Sequence, residues 1–135
     1  MIVSTKGRYA LRVMVCFAQR GRDEFVPLKE IAEAEGISQK YLEAIMTTLS
    51  KAGFVDAAHG KGGGYRLNRP PKEYTVGSIL KLTEGGIHAV SCSGEEGCSR
   101  TVCCQAKPMW ERLNQMIDEF FEGITIADLL GDTKE

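Results

Sequence analysis

VPLKEIAEAEGISQKYLEAIMTTLSKAGFV, residues 26–55, carries two apolar periodicities separated by a glycine turn. In the first, Pro27 sits at a helix start, where its missing N–H costs nothing, and Leu28, Ile31 and Ala32 form a short apolar face. Gly36 suits the left-handed residue that ends such a helix. Ser38 then caps a second helix, in which Tyr41, Leu42, Ile45, Met46 and Leu49 recur at three- and four-residue spacing up to Gly53. Two short helices joined by a tight glycine turn form the helix-turn-helix pattern.

The next segment, FVDAAHGKGGGYRLNRPP (54–71), predicts strands at Phe54–Ala57 and Tyr65–Leu67 with a glycine-rich tip, His59–Gly64, between them. Such a tip takes up positive φ angles and lets backbone approach another surface closely. A hairpin directly after a helix-turn-helix is a wing. Upstream, Ser4 or Thr5 can cap a helix running to about Gln19, with Gly21 just beyond it. Its apolar positions (Tyr9, Ala10, Val13, Met14, Phe17, joined by Leu11, Val15 and Cys16) are wider than one stripe and predict packing on two sides. Downstream, Thr75 caps a helix with Val76, Ile79, Leu80 and Leu82 that ends at Gly85–Gly86. Residues 87–105 read as a polar, cysteine-bearing loop. A longer helix runs from about Ala106 to Glu122. Thr125 with Asp128 then opens a last short helix containing Ile126, Leu129 and Leu130. The expected fold is mainly α with a small β-hairpin. A winged helix-turn-helix occupies 1–86 (wing about 54–69), a cysteine loop 87–105, and a dimerisation helix with a terminal short helix 106–135.

With 135 residues, 43% hydrophobic and 26% charged, the chain has the composition of an ordinary folded domain, which excludes disordered and collagen-like classes. Aromatics at 7% offer little for stacking on single strands. The net charge of −1 hides an asymmetry: residues 1–72 hold twelve Lys/Arg against seven Asp/Glu, and the remainder five against eleven. A basic front and an acidic back suggest that the front meets a polyanion. No apolar run approaches the ~18 residues of a membrane span. The opening MIVSTKGRYALRVMVCFA superficially resembles a signal peptide, but Arg8 and Arg12 interrupt it and no small-x-small cleavage site follows. The expected location is cytoplasmic.

Three features point to double-stranded DNA. The second helix of the motif begins S-Q-K-Y, which places Gln39 and Lys40 at the end that enters a major groove. There Gln pairs with an adenine edge, and Lys reaches guanine or phosphate. The positive end of that helix also favours phosphate. At the wing tip, His59 and Lys61 stand among glycines and suit a narrow minor groove or backbone. Glu43 is out of place near phosphates unless it accepts from a cytosine amino group, and so serves as a discriminator between bases. The candidate DNA-contacting residues are Lys6, Ser38, Gln39, Lys40, Tyr41, Glu43, His59 and Lys61.

The helix from residue 106 carries Met109, Trp110, Leu113, Met116, Ile117, Phe120 and Phe121, more apolar bulk than a short chain needs for its own core. This predicts a homodimer, since winged readers commonly bind two half-sites about a two-fold axis. Of five cysteines, Cys16 lies in an apolar helix and reads as a small buried hydrophobe. The others cluster as C92-S-G-E-E-G-C98-S-R-T-V-C103-C104. Without secretory features a disulfide framework is not expected, and no C-x-x-C knuckle marks structural zinc. Cys92, Cys98 and Cys104, with five residues in each gap, offer three soft thiolates, which suit iron–sulfur, Cu(I) or zinc. Free thiols or a redox disulfide pair are the alternative.

Taken together, STKGRYALRVM (4–14), the 26–55 stretch, GKGGGYRL (60–67), VGSIL (76–80), the cysteine loop, WERL (110–113) and GITIADLL (123–130) resemble the Rrf2 family of bacterial winged-helix regulators, above all its iron–sulfur members. The resemblance implies a homodimer with crossed long helices and a cluster ligated by Cys92, Cys98 and Cys104. Members holding [2Fe-2S] carry a His three residues after the third cysteine, where this chain has Lys107. Members holding [4Fe-4S] take an acidic residue from the partner's first helix, where this chain has Arg8. Cys103, His88, Glu95, Glu96, a small thiol or water remain for the fourth bond, and either [2Fe-2S] or [4Fe-4S] stays open. The expected function is a transcriptional regulator, a repressor, that senses iron–sulfur, redox or nitric oxide status and is not an enzyme. The rivals are a metal-free thiol-redox regulator of the same family and a small thiol redox enzyme. The enzyme reading has only His59 and His88 and no paired carboxylates at useful spacing.

Overall fold

The computed structural model describes residues 3–85 and 105–133. Among these residues six helices and one hairpin follow in chain order: α1 (Thr5–Arg20), α2 (Leu28–Glu35), α3 (Gln39–Lys51), β1 (Val55–Ala58), β2 (Gly64–Leu67), α4 (Val76–Glu84), α5 (Lys107–Glu122) and α6 (Ile126–Thr133). A 3-10 turn at Pro71–Glu73, which the sequence reading did not separate from the linker, leads into α4.

The caps fall where hydroxyl side chains can reach free N–H groups. Ser4 accepts from Gly7, Ser38 from Tyr41 and Thr75 from Ser78. Thr125 and Asp128 form a reciprocal box, each side chain accepting the other's backbone N–H, at 3.1 and 2.9 Å. Gly36 adopts φ 66°, ψ 33°, and this left-handed step turns the chain from α2 into α3.

The hairpin pairs Val55 with Leu67 and Ala58 with Gly64. It begins one residue later than the periodicity predicts. Phe54 is taken up by the stop of α3, its N–H donating to the Leu49 carbonyl at 3.0 Å. The wing is also anchored from outside. Val26 and Tyr65 exchange both backbone hydrogen bonds, at 2.8 and 3.0 Å, so a single antiparallel bridge ties the segment before α2 to the outer edge of β2. Gly64 permits this approach, because a Cβ there would overlap the Val26 carbonyl.

One core holds α1, α2, α3, the wing base and α4. Met14, Phe17, Ile31, Leu42, Ile45, Met46, Leu49, Ile79 and Tyr74 are fully buried in it. Each such side chain contributes about 1.5–3 kcal/mol of transfer free energy. Tyr74 keeps its hydroxyl satisfied. It donates to the Phe54 carbonyl at 2.6 Å and accepts the Asn68 N–H at 3.1 Å, and burial pushes its pKa above the ordinary tyrosine value. After α5 the chain returns to this body: Val76 and Ile126 bond to the carbonyls of Ile124 and Tyr74, and Ile126 is fully buried.

α5 is different. None of its residues is buried, and Met109, Leu113, Met116 and Phe120 are 37–63% exposed. Its attachment runs through α4. Lys81 donates to Asp118 at 2.8 Å and to Glu122 at 2.9 Å, and Glu122 also accepts from Thr75 at 2.9 Å. These partners hold the Glu122 carboxyl below its usual pKa and the Lys81 ammonium above its own. No helix among the described residues is long and apolar enough to cross a membrane.

Candidate nucleic-acid interface

α3 turns its apolar face inward and leaves its N-terminus at the surface. Gln39, Lys40 and Glu43 are exposed, as are Ala44 and Thr47 further along. At 100° per residue, Lys40, Glu43, Ala44 and Thr47 share the outward face, with Gln39 at its edge. Ala44 and Thr47 were not among the sequence candidates, although they are the complement of the apolar stripe and were legible as such. No acid occupies the first turn of α3, so its positive end is not offset from within.

Ser38 is exposed and its Oγ serves as the cap. Tyr41 is half-buried. Its ring meets Tyr9 edge-on at 5.8 Å, and the Arg12 guanidinium lies 5.2 Å from the Tyr9 ring centre on the α1 side. Tyr41 therefore braces α3 against α1. Lys6 is half-buried and donates to Thr48 Oγ1 at 3.1 Å, joining the start of α1 to α3.

His59 and Lys61 stand exposed at the wing tip, flanked by Gly60 and Gly62 with φ of 85° and 81°. The stem below them is stiffened by two arginines that contribute to the basic surplus of the front. Arg66 lies 4.2 Å from the Phe25 ring centre and pairs with Asp56 at 3.8 Å. Arg69 sits against the Phe54 and Tyr74 rings and donates to the Gly53 carbonyl at 2.8 Å. Arg12 and Arg20 pair with Glu35 and Glu30. The basic surplus of the front is thus partly engaged internally.

Cys16 is buried, and its thiol is pushed above the ordinary value, first by burial and then by the Glu35 charge. That fits the small-hydrophobe reading. Cys92, Cys98, Cys103 and Cys104, with His88, Glu95 and Glu96, lie outside the described residues. No group of three or more metal-ligating side chains occurs among the described residues. Lys107 opens α5 and pairs with Glu111 at 3.5 Å, and Arg8 donates to Thr5 at 3.2 Å.

The Rrf2 profile, described as an iron-dependent transcriptional regulator, matches residues 3–132. The chain belongs to the Rrf2 family. It is 37% identical over 134 residues to the HTH-type transcriptional regulator IscR of Aliivibrio salmonicida, covering 99% of this chain and 80% of that one. It is 36% identical to IscR of Photobacterium profundum, covering 98% and 77%. Among solved structures, T. potens IscR has a TM-score of 0.77 at 38% identity, covering 98% of this chain and 88% of the other. CymR, titled the global cysteine regulator of B. subtilis, has a TM-score of 0.79 at 31% identity, covering 97% of each chain. As an Rrf2 protein this chain is a DNA-binding transcriptional regulator with a winged-helix fold, and its named relatives are regulators, not enzymes.

Proposed function

We propose that this Rrf2 protein is a homodimeric repressor that reads operator DNA through α3 and the wing. Its binding is set by an iron–sulfur cluster held by Cys92, Cys98 and Cys104. The observation that carries the DNA reading is the exposed N-terminus of α3, with Gln39 and Lys40 presented and its apolar face fully committed to the core. Glu43 lies on the same face, where it would discriminate between bases. Lys6, His59 and Lys61 would meet phosphates or the minor groove. The exposed stripe on α5 supports the homodimer: a 16-residue helix presents about 24 Å of length, and pairing two copies would remove four large apolar side chains per chain from water.

The cluster reading rests on the donor set and on the iron dependence named for the family. Three thiolates suit iron–sulfur. Lys107, paired with Glu111, leaves the fourth bond to another group. Bound there, such a cluster supplies a centre sensitive to oxidants, nitric oxide and iron shortage. The chain's own part is mechanical. The cysteine segment joins α4 to α5 in sequence, and Lys81 of α4 pairs with Asp118 and Glu122 in the last turns of α5. A change in the segment would then alter the poise of two winged heads about their axis. A coupling of ~1–3 kcal/mol changes operator affinity by about 5–150-fold.

Anaerobic absorption and iron analysis, paired with duplex binding across a salt series, test this. A coloured protein whose DNA affinity falls steeply with salt and shifts on cluster loss is expected. A colourless protein with iron-independent affinity would end the cluster reading. Cys98→Ala should lose the colour and keep the dimer. The likeness to CymR, also solved for Staphylococcus aureus in an oxidised form at 31% identity, favours a second reading: a metal-free thiol regulator. Cys16 is a poor candidate for that thiol, since burial disfavours its thiolate. Mass analysis under non-reducing conditions would reveal a disulfide or oxidised thiol among the other four cysteines.

A further inference from the structure

We infer that Glu84 is a positioning residue for DNA binding: its carboxylate fixes the first turn of α1 and thereby the place of Lys6. The inference rests on the DNA-binding reading and extends it to a residue outside the interface. Glu84 is the last residue of α4. Its Oε1 accepts the Ser4 backbone N–H at 2.9 Å and the Ser4 hydroxyl at 2.6 Å, and the hydroxyl oxygen in turn accepts the Gly7 N–H at 3.2 Å. One carboxylate oxygen therefore orients the cap of α1 and sits beside that helix's positive end. Gly7 makes the room. It is buried, and a Cβ at this position would collide with Glu84 Oε1.

Lys6 lies in the turn between these two anchored residues and donates to Thr48 Oγ1 of α3 at 3.1 Å. An ammonium carries three N–H donors, so a lysine set in this way can hold α3 and a phosphate together. Charge-assisted contacts depend on placement, and loosening the turn would weaken this one. The sign of the effect separates this role from simple electrostatics. Removing a negative charge near DNA should strengthen binding, whereas removing an anchor should weaken it.

Gly7→Ala gives the same displacement without changing any charge. The test measures binding of the full chain to a fluorescent duplex that the wild-type protein has selected from a random-sequence pool, at several salt concentrations. Gly7→Ala and Glu84→Ala should each weaken binding about 3- to 10-fold, on the scale of the net contribution of one ordinary hydrogen bond. Glu84→Gln keeps an acceptor for Ser4 and should stay within about twofold of wild type. The Gly7→Ala/Glu84→Ala double variant should bind no more weakly than Glu84→Ala, because the collision is gone. Lys6→Ala should lower the salt slope by about one, and adding Glu84→Ala to it should cost nothing more.

Wild-type or tighter binding by Glu84→Ala or Gly7→Ala overturns the inference. So does a Glu84→Ala loss that persists in full without Lys6, or a Glu84→Gln protein as weak as Glu84→Ala. Should Glu84→Ala fail to fold, Gly7→Ala and Glu84→Gln decide the matter. A wild-type protein that enriches no duplex overturns the DNA-binding reading itself, and this inference with it.

Discussion

α3 and α5 carry the same kind of sequence pattern and meet opposite fates. Leu42, Ile45, Met46 and Leu49 of α3 are fully buried within their own chain. On α5 the stripe divides. Ile117 and Phe121 lie towards α4, around Gly77 and Lys81, while Met109, Leu113, Met116 and Phe120 face out. Periodicity reports that a face must be covered. It does not say which chain covers it. α3 shows the further point that a helix whose apolar side is fully committed can offer its polar end to a ligand without cost to the core.

The contrast can be broken most forcefully in α3. Ile45→Ala should lower the unfolding free energy by about 2–5 kcal/mol, measured by urea denaturation, because a rigid core cannot close the void. An effect below about 1 kcal/mol would mean that α3 is not held as described. On α5, Phe120→Asp should leave the helical circular dichroism of the chain intact and raise the dimer dissociation constant about 100-fold by sedimentation, on the scale of one large apolar side chain leaving water. An unchanged dimer would place the interface elsewhere. Lys40→Ala, at the exposed end of α3, should weaken duplex binding about tenfold with no change in thermal midpoint or dimerisation.

The smallest effect concerns how α5 is pinned to α4. Glu122 is held below the usual carboxylate pKa by Lys81 and Thr75. Its stabilising contribution is therefore present above the unfolded value and fades as pH falls through the lower folded value. Glu122→Gln should flatten the acid limb of a stability–pH profile by a few tenths of a kcal/mol, since Lys81 is half exposed and its pairs are screened by solvent. An identical acid limb would remove the clamp from the account.

Much of this architecture was legible in the residues. Ser4, Ser38, Thr75 and the Thr125–Asp128 box announced four helix starts, and Gly36 the turn between α2 and α3, because caps and left-handed turns are local chemistry. The exposed Gln39, Lys40, His59 and Lys61 followed from the same motif. What escaped was long-range. The Val26–Tyr65 pairing, the Lys6–Thr48 bond and the Glu84–Ser4 contact join positions 39, 42 and 80 residues apart, and no periodicity encodes them. The roles of Arg66 and Arg69 escaped for a related reason: a charge count cannot distinguish a cation facing water from one laid on an aromatic ring.

The bridge from Lys81 to Asp118 and Glu122 has an evolutionary corollary. It fastens α4 to the far half of α5, so the two helices that flank the cysteine-bearing stretch in sequence are held to each other independently of what that stretch contains. Lengthening or rewriting chain between two helices that are already fastened to each other adds little entropic penalty, because closure entropy grows only slowly with length. The stretch can therefore behave as an exchangeable cassette, and a lineage could refit one DNA reader with a new trigger by altering fewer than two dozen codons while the scaffold stays the same.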